Sequence, residues 1–290
     1  MMRIPESLIT LIDYGVIDEV LRPLMSGKEA RVYLVRLGDE LQVAKVYKAS
    51  INRSFHKRSI YTEGRKTRNS RDQRALNRRS RHGKAIDEEA WRSTEVNMIY
   101  RLQRAGVRVP KPYCFEAGVL VMEMITDIHG SPAPRLGEVK LDVEMAREIY
   151  THLIQEIIRM LSAGIVHGDL SEFNILLGSD GPIIIDFPQS VDTAYNNSAR
   201  DLLLRDVQNI HDFLLAYDPS FVVRPYGEEM WDLYCRNELT GETVLTGHWK
   251  PSRKKANLKQ VYELIDDANE DEYVRRERTS HPRRRRRRRR

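Results

Sequence analysis

The segment HGDLSEFNILLGSDGPIIIDF, from His167 to Phe187, predicts a β-hairpin that carries polar side chains at its open end. Its apolar residues 175–177 and 183–185 flank a turn rich in Gly, Ser and Asp. Apolar runs separated by such a turn are typical of two paired strands. The residues just outside the two strands should therefore meet.

The polar residues at that open end are Asp169, Asn174 and Asp186. The first two precede the first strand and the third follows the second strand, so we expect all three to face one small volume. Carboxylate and amide oxygens suit a hard cation such as Mg²⁺, which usually keeps waters and takes its remaining ligands from substrate phosphates. The pattern therefore favours a phosphoryl-transfer site that contains a metal ion.

The 290-residue chain has a net charge of +6 that is unevenly distributed along the sequence. Eight positive charges form the run Arg283 to Arg290, and residues 50–84 hold twelve Lys and Arg against two Asp and Glu, so the remainder is acidic. Residues 50–84 show almost no apolar periodicity, which indicates a flexible basic insertion. We expect residues 269–290 to form a disordered, Arg-rich tail. From its charge, each basic segment could contact nucleic acid, an acidic protein face or a phosphate-rich surface.

The remaining composition points to a cytoplasmic protein without membrane contact. No apolar run approaches the roughly 18 residues of a membrane-spanning helix, and the N-terminus lacks a signal-peptide pattern. Cys114 and Cys235 are too few for a disulfide framework and do not have metal-ligand spacing.

Apolar periodicity predicts a mixture of helices and strands. Residues 6–22 carry apolar side chains at roughly helical spacing, which predicts an N-terminal helix within residues 1–24. Alternating runs from Arg31 to Leu37 and from Leu41 to Tyr47 predict a second hairpin. Further strands are predicted at 113–116 and 119–124, and helices at 86–105, 141–163, 199–217, 228–237 and 255–268.

The central segment resembles the catalytic and metal loops of protein kinases. The spacing H-x-D-x-x-x-x-N begins at His167 and is followed by D-F at Asp186, with Pro188 where kinases have glycine. The sequence motifs HGDLSEFN and IDFPQS most resemble those of the RIO family of atypical serine/threonine protein kinases. The closest type is the bacterial-like one that lacks an N-terminal winged helix.

This resemblance covers roughly residues 10–217 and implies an α+β fold of the bilobed, protein-kinase-like kind. A small β-rich N-lobe at residues 25–124 would contain the basic insertion and a regulatory-type helix. A mainly helical C-lobe would occupy residues 125–268.

The resemblance also implies roles for the residues of the central segment. Asp169 would accept or orient the proton of the attacking hydroxyl group. Asn174 and Asp186 would hold Mg²⁺, or Mn²⁺ in its place, against the phosphates of ATP. The implied activity is phosphoryl transfer to serine or threonine of a protein substrate or of the chain itself. In an alternative cycle implied by some family members, Asp186 would take the γ-phosphate itself and the protein would act as an ATPase.

Lys45, in the strand VAKVY, matches the kinase lysine that supports the α- and β-phosphates. Its expected partner is Glu95 on the following helix, with Glu88 and Glu89 as rivals. The neighbouring Lys48 is expected at the surface. Further nucleotide contacts are assigned to Ser26 and Lys28 in the loop SGKEA, and to Met122, Glu123, Met124 and Ile125 in the interlobe hinge. Adenine would bind mainly to the hinge backbone at Glu123 and Ile125.

Two other functions fit parts of the sequence. A small-molecule kinase of the aminoglycoside or choline type also uses an HGD loop and a downstream metal aspartate. The short loop SGKEA, the basic insertion after Lys45 and the residues after Asp186 argue against it. A second alternative is an ATP-switched module that binds a ribonucleoprotein through residues 50–84 and 283–290.

Overall fold

The computed structural model describes residues 4–27, 30–48 and 95–251. The chain divides into two compact units, Met1–Trp249 and Lys250–Arg290. Almost all of the second unit, the basic insertion and Lys28 lie outside the described residues, as does the helix predicted at 255–268.

The N-terminal half of the first unit is a five-stranded antiparallel sheet with the order β1-β2-β3-β5-β4. Its strands are β1 (Glu19–Ser26), β2 (Ala30–Leu37), β3 (Glu40–Tyr47), β4 (Pro112–Glu116) and β5 (Val119–Glu123). The predicted hairpin of β2 and β3 is confirmed, and its register places Val32 opposite Lys45. On the other side of β3, Lys45 lies opposite Leu120 of β5.

The helix predicted over residues 6–22 is wrong beyond Asp13. Helix α1 spans Glu6–Asp13, and Gly15 follows it with a φ of 68°, a left-handed conformation that ends the helix. The later apolar residues belong to β1, whose pairing with β2 shifts register twice, once on each side of Pro23. These shifts interrupt the alternation of apolar and polar residues in β1, which explains why the sequence pattern concealed this strand.

A helix at residues 95–104, here α2, follows the part of the chain that is not described. Its buried residues are Glu95, Val96, Met98, Ile99 and Leu102. Gly106 follows with a φ of 77°, as the sequence predicts for the end of this helix. The start of the predicted helix lies outside the described residues.

The C-terminal half is mainly helical. It contains α3 (Val143–Ser162), α4 (Ala199–Tyr217) and α5 (Tyr226–Cys235), together with the short strands β6 (Ile165–Val166), β7 (Ile175–Gly178), β8 (Gly181–Ile184) and β9 (Val191–Asp192). Asp142 caps α3 by accepting a 2.8 Å hydrogen bond from the Met145 N–H. The predicted α+β class with a β-rich and a helical lobe is confirmed.

Two apolar clusters hold these elements together. The larger one runs from Ala30 and Tyr47 through α2 into the helical half, so helix α2 is packed between sheet and helices. The smaller one joins Leu8 and Leu11 of α1 to residues of β2, β3 and β5. No helix among the described residues is long and apolar enough to cross a membrane.

Candidate active site

The hairpin of β7 and β8 brings the two ends of the central segment together, as the sequence predicts. Ile175 pairs with Ile184, and the Ile185 N–H donates to the carbonyl oxygen of Asn174 at 2.9 Å. This bond extends the ladder beyond the strands and places Asn174 beside the residue that precedes Asp186. Asp186 itself has a φ of 70°, a conformation that costs free energy for any residue other than glycine and that is frequent at functional sites.

Lys45 connects Asp186 to α2. Its Nζ donates to Oε1 of Glu95 at 2.6 Å and to Oδ1 of Asp186 at 2.7 Å. The side chain of Glu95 is 1% exposed and that of Asp186 is 45% exposed, so the lysine joins a buried carboxylate to one that faces the cleft. The structure therefore brings Lys45 and Glu95 together, whereas Glu88 and Glu89 lie outside the described residues.

The charges of this cluster support one another. Burial alone would lower the pKa of Lys45, because it disfavours the charged form. The attraction of the Glu95 and Asp186 carboxylates is larger in sum and holds the lysine pKa well above its ordinary value. In turn, the ammonium group of Lys45 lowers the pKa of Asp186 despite partial burial. Both groups are therefore charged at neutral pH.

Asp169 lies on the loop between β6 and β7, with its side chain exposed. Asn174 Nδ2 donates to the backbone oxygen of Asp169 at 2.8 Å, which leaves the amide Oδ1 of Asn174 to act as a ligand. Gln189 Nε2 lies 3.3 Å from Oδ2 of Asp169. The loop thus carries one carboxylate and one amide oxygen near the open end of the hairpin, where Asp186 follows β8.

His167 supports this loop from behind. It is 1% exposed, its Nε2 lies 3.1 Å from the carbonyl oxygen of Ile185, and its Nδ1 accepts from the Asp169 N–H at 3.3 Å. Burial lowers its pKa to about 4, so the ring is neutral and donates through Nε2. Its contacts make His167 a link between the two loops.

Asp206 of α4 is a residue that sequence reasoning missed. Its carboxylate accepts from the N–H groups of Gly168 at 2.7 Å and Leu170 at 3.0 Å, which flank Asp169 on both sides. Burial raises the pKa of Asp206 to about 7. The available signal was an acidic residue on the mainly apolar, buried face of α4, since such a charge needs a partner.

Gly27, the residue after β1, accepts a hydrogen bond from a lysine that the sequence predicts at the surface. Lys48 is half-buried and its Nζ donates to the carbonyl oxygen of Gly27, so that expectation is wrong. Gly27 N–H in turn donates to Ala30 O at 2.9 Å. Ser26 is the exposed last residue of β1, and Lys28 lies outside the described residues.

The interlobe hinge begins at the end of β5. Met122 is still in the strand, and the Glu123 N–H donates to Lys111 O at 2.8 Å. The carbonyl oxygen of Ile125 accepts from the Ala133 N–H at 2.9 Å. Neither of these two hydrogen bonds involves the carbonyl oxygen of Glu123 or the N–H of Ile125, which lie on either side of Met124. One is an acceptor and the other a donor, and the edge of adenine needs one of each.

Arg135 is a second residue that sequence reasoning missed. Its Nη2 lies 2.8 Å from Sδ of Met25 in β1, and its charge contributes to the lowered pKa of Asp186. The segment that carries Arg135 is bridged to Leu176 of β7. No local motif marks this arginine, because its approach to β1 depends on the packing of the two halves.

A strand lysine paired with a buried helix glutamate, above a loop with a carboxylate and an amide, defines a protein-kinase-like fold. The chain belongs to the RIO domain family, because the family model described as RIO domain matches residues 31–223.

Named relatives agree with this assignment. The RIO-type serine/threonine-protein kinase Rio1 of Haloferax volcanii is 36% identical over 204 residues, which cover 70% of this chain and 66% of the relative. Its counterpart in Methanocaldococcus jannaschii is 34% identical over 209 residues, covering 71% of this chain and 67% of the relative. The human serine/threonine-protein kinase RIO1 is 34% identical over 217 residues, which cover 72% of this chain and 36% of the relative.

The matched region thus spans about two thirds of the archaeal relatives and little more than one third of the human one. Among solved structures, a kinase domain aligns with a TM-score of 0.40 and 14% identity, covering 79% of this chain and 66% of that one. The family assignment rests on the sequence matches.

Proposed function

We propose that this protein transfers the γ-phosphoryl group of ATP to a serine or threonine hydroxyl of a protein, itself included. The observation that carries the proposal is the position of Lys45, which donates at 2.6 and 2.7 Å to Glu95 and Asp186. Catalysis of phosphoryl transfer depends mainly on charged groups held in position around the phosphates, and little on covalent chemistry by the protein. Lys45 meets this need because it lies between the buried Glu95 and Asp186 of the predicted metal loop. The names of the relatives, which are those of protein kinases, support a protein substrate.

The donor set fits a divalent metal ion. Asp186 has carboxylate oxygens at the open end of the hairpin. Asn174 uses its Nδ2 for the bond to the Asp169 backbone, and its Oδ1 takes no part in that bond. Such oxygen ligands suit Mg²⁺, with Mn²⁺ as a substitute. When bound, the ion would neutralise charge on the β- and γ-phosphates.

The protein residues divide the remaining work. Asp169, exposed on its loop, would orient the attacking hydroxyl and accept its proton, an effect generally worth about 10² to 10⁴-fold in rate. Lys45 would steady the phosphates while Glu95 fixes the lysine. The hinge backbone at Glu123 and Ile125 would bind adenine.

A second candidate is an ATPase cycle through Asp186. Lys45 lowers the pKa of this carboxyl, so it is ionised at neutral pH, as a carboxylate nucleophile must be. An Asp186 oxygen would attack the γ-phosphorus, ADP would leave, and water would later hydrolyse the acyl phosphate to restore the carboxylate.

The test is incubation of the purified chain with γ-labelled ATP and Mg²⁺, alongside Asp169→Asn, Asp186→Asn and the control Asp180→Asn. Asp180 lies in the turn of the β7–β8 hairpin with its side chain 76% exposed, so its loss should leave labelling unchanged. Acid-stable, hydroxylamine-resistant label that disappears in both site variants is the expected result. Hydroxylamine-sensitive label lost with Asp186 would select the ATPase cycle, and no label in the parent chain would overturn both proposals.

A further inference from the structure

Tyr47 lies on the same face of β3 as Lys45, because side chains two residues apart in a strand point to the same side. It is 6% exposed, and its hydroxyl donates to Oε2 of Glu95 at 2.5 Å. The other oxygen of that carboxylate, Oε1, accepts from Lys45. One glutamate on α2 is therefore held at both oxygens by two residues of a single strand.

The ring of Tyr47 is itself fixed. It packs edge-to-face on Phe115 of β4, with 6.2 Å between ring centroids and an interplanar angle of 73°. Lys45 Nζ lies 5.5 Å from the centroid of the tyrosine ring, within the range of a cation–π contact. The hydroxyl that reaches Glu95 thus belongs to a side chain with little freedom to move.

A buried carboxylate with one donor can rotate about its last side-chain bond, and a second fixed donor removes that freedom. Burial and the nearby carboxylate of Glu95 hold the pKa of Tyr47 well above its ordinary value, so the phenol keeps its proton and acts as the donor. Hydrogen bonds to charged acceptors are the stronger ones, and a buried carboxylate oxygen without its donor is costly.

We propose that Tyr47 is a positioning residue for phosphoryl transfer, acting through Glu95 to hold Lys45 at the nucleotide phosphates. This inference rests on the function proposed above. Without the hydroxyl, Glu95 would turn toward its remaining donor, and Lys45 would lose its fixed position between Glu95 and Asp186.

The test compares Tyr47→Phe with Tyr150→Phe. Tyr150 is also 6% exposed, and its hydroxyl has no hydrogen-bond partner among the described residues, so the control removes an equally buried hydroxyl from the helical half. We expect Tyr47→Phe to weaken binding of a fluorescent ATP analogue and to lower kcat/KM by about 10-fold or more. Tyr150→Phe should stay within about twofold of the parent chain.

A double-mutant cycle with Glu95→Gln, read by analogue affinity as well as by turnover, separates positioning from general packing. If Tyr47 acts through Glu95, the loss from Tyr47→Phe should largely vanish in the Glu95→Gln background. Additive losses, or equal effects of the two Tyr→Phe changes, would overturn the inference. A parent chain that binds the analogue but transfers no phosphoryl group would instead refute the proposed function, while the affinity cycle still decides the role of Tyr47.

Discussion

Lys45 draws together two carboxylates that come from distant parts of the chain, one buried and one facing the cleft. Replacing it by methionine should abolish phosphoryl transfer, since the phosphates lose their cation. It should also cost about 3 kcal/mol of stability, because Glu95 would remain buried without its counter-charge. Labelling with γ-labelled ATP and urea unfolding measure the two effects.

The matched double variant Lys45→Met with Glu95→Gln separates these effects. Removing the orphaned charge should restore most of the stability while activity stays absent. Recovery of activity in the double variant would contradict the assignment of Lys45 to the phosphates.

Asp206 gives the active-site loop a dependence on pH. Its folded-state pKa is about 7, above the ordinary value of 3.8, so the folded state binds more protons than the unfolded state between these values. The stability contribution of this group is therefore full below the lower value and is lost as pH rises toward 7. Asp206→Asn does not titrate, so its unfolding free energy should fall less between pH 5 and pH 7.5 than that of the parent chain.

The same variant should lower kcat by about 10-fold or more, since the amide nitrogen of Asn would face one of the two N–H donors that flank Asp169. Asp212→Asn, at an exposed position of the same helix, is the control. An identical pH slope in parent and Asp206→Asn would contradict the raised pKa.

At the residue scale, the sequence predicts site residues that belong to short motifs with fixed spacing, such as Asp169, Asn174 and Asp186, and these roles stay predictions. The motifs do not include Tyr47, Asp206 and Arg135, whose contacts with the site are made across the fold. The sequence predicts only that Tyr47 ends a strand, although its spacing from Lys45 puts both residues on one face of that strand.

At the scale of elements, the β7–β8 hairpin depends on the absence of a side chain at Gly178. A Cβ there would meet Ile183 Cδ1 at 2.6 Å and Ile125 Cγ2 at 3.0 Å. Gly178→Ala should therefore destabilise the fold by about 1–3 kcal/mol and, because Ile125 is in the hinge, raise the KM for ATP. Thermal unfolding and ATP-dependent kinetics measure both.

Gly241→Ala is the matched control, since a Cβ at Gly241 would make only ordinary contacts, the nearest at 3.5 Å with Arg159. It should leave the KM for ATP unchanged. Equal effects of the two changes would show that the hairpin does not transmit strain to the hinge.

Most elements could be predicted from periodicity, and α4 at residues 199–217 agrees with its prediction at both ends. The failure was β1, because two register shifts remove its alternation and because its apolar residues continue the helical spacing of α1. Whether a segment forms a strand depends on the strand that it pairs with, here β2. The sequence of β1 alone therefore does not predict its conformation.

At the scale of the whole molecule, charge is concentrated in segments that lie outside the described residues. The eight arginines at 283–290 and the twelve basic residues within 50–84 accompany an otherwise acidic chain. Contact with a ribosomal RNA through these segments remains a proposal, and its electrostatic character makes it testable by salt dependence.

Deleting residues 283–290 should weaken binding to a single-stranded RNA and flatten the plot of log Kobs against log salt concentration. Each phosphate contact on a single strand contributes a slope of about 0.7, so loss of even half the arginine contacts would be measurable. Replacing the eight arginines by eight lysines keeps the charge and should keep most of the slope. If the deletion leaves the slope unchanged, the tail does not contact RNA, and the same titration with the basic residues of 50–84 changed to glutamine would then test the insertion alone.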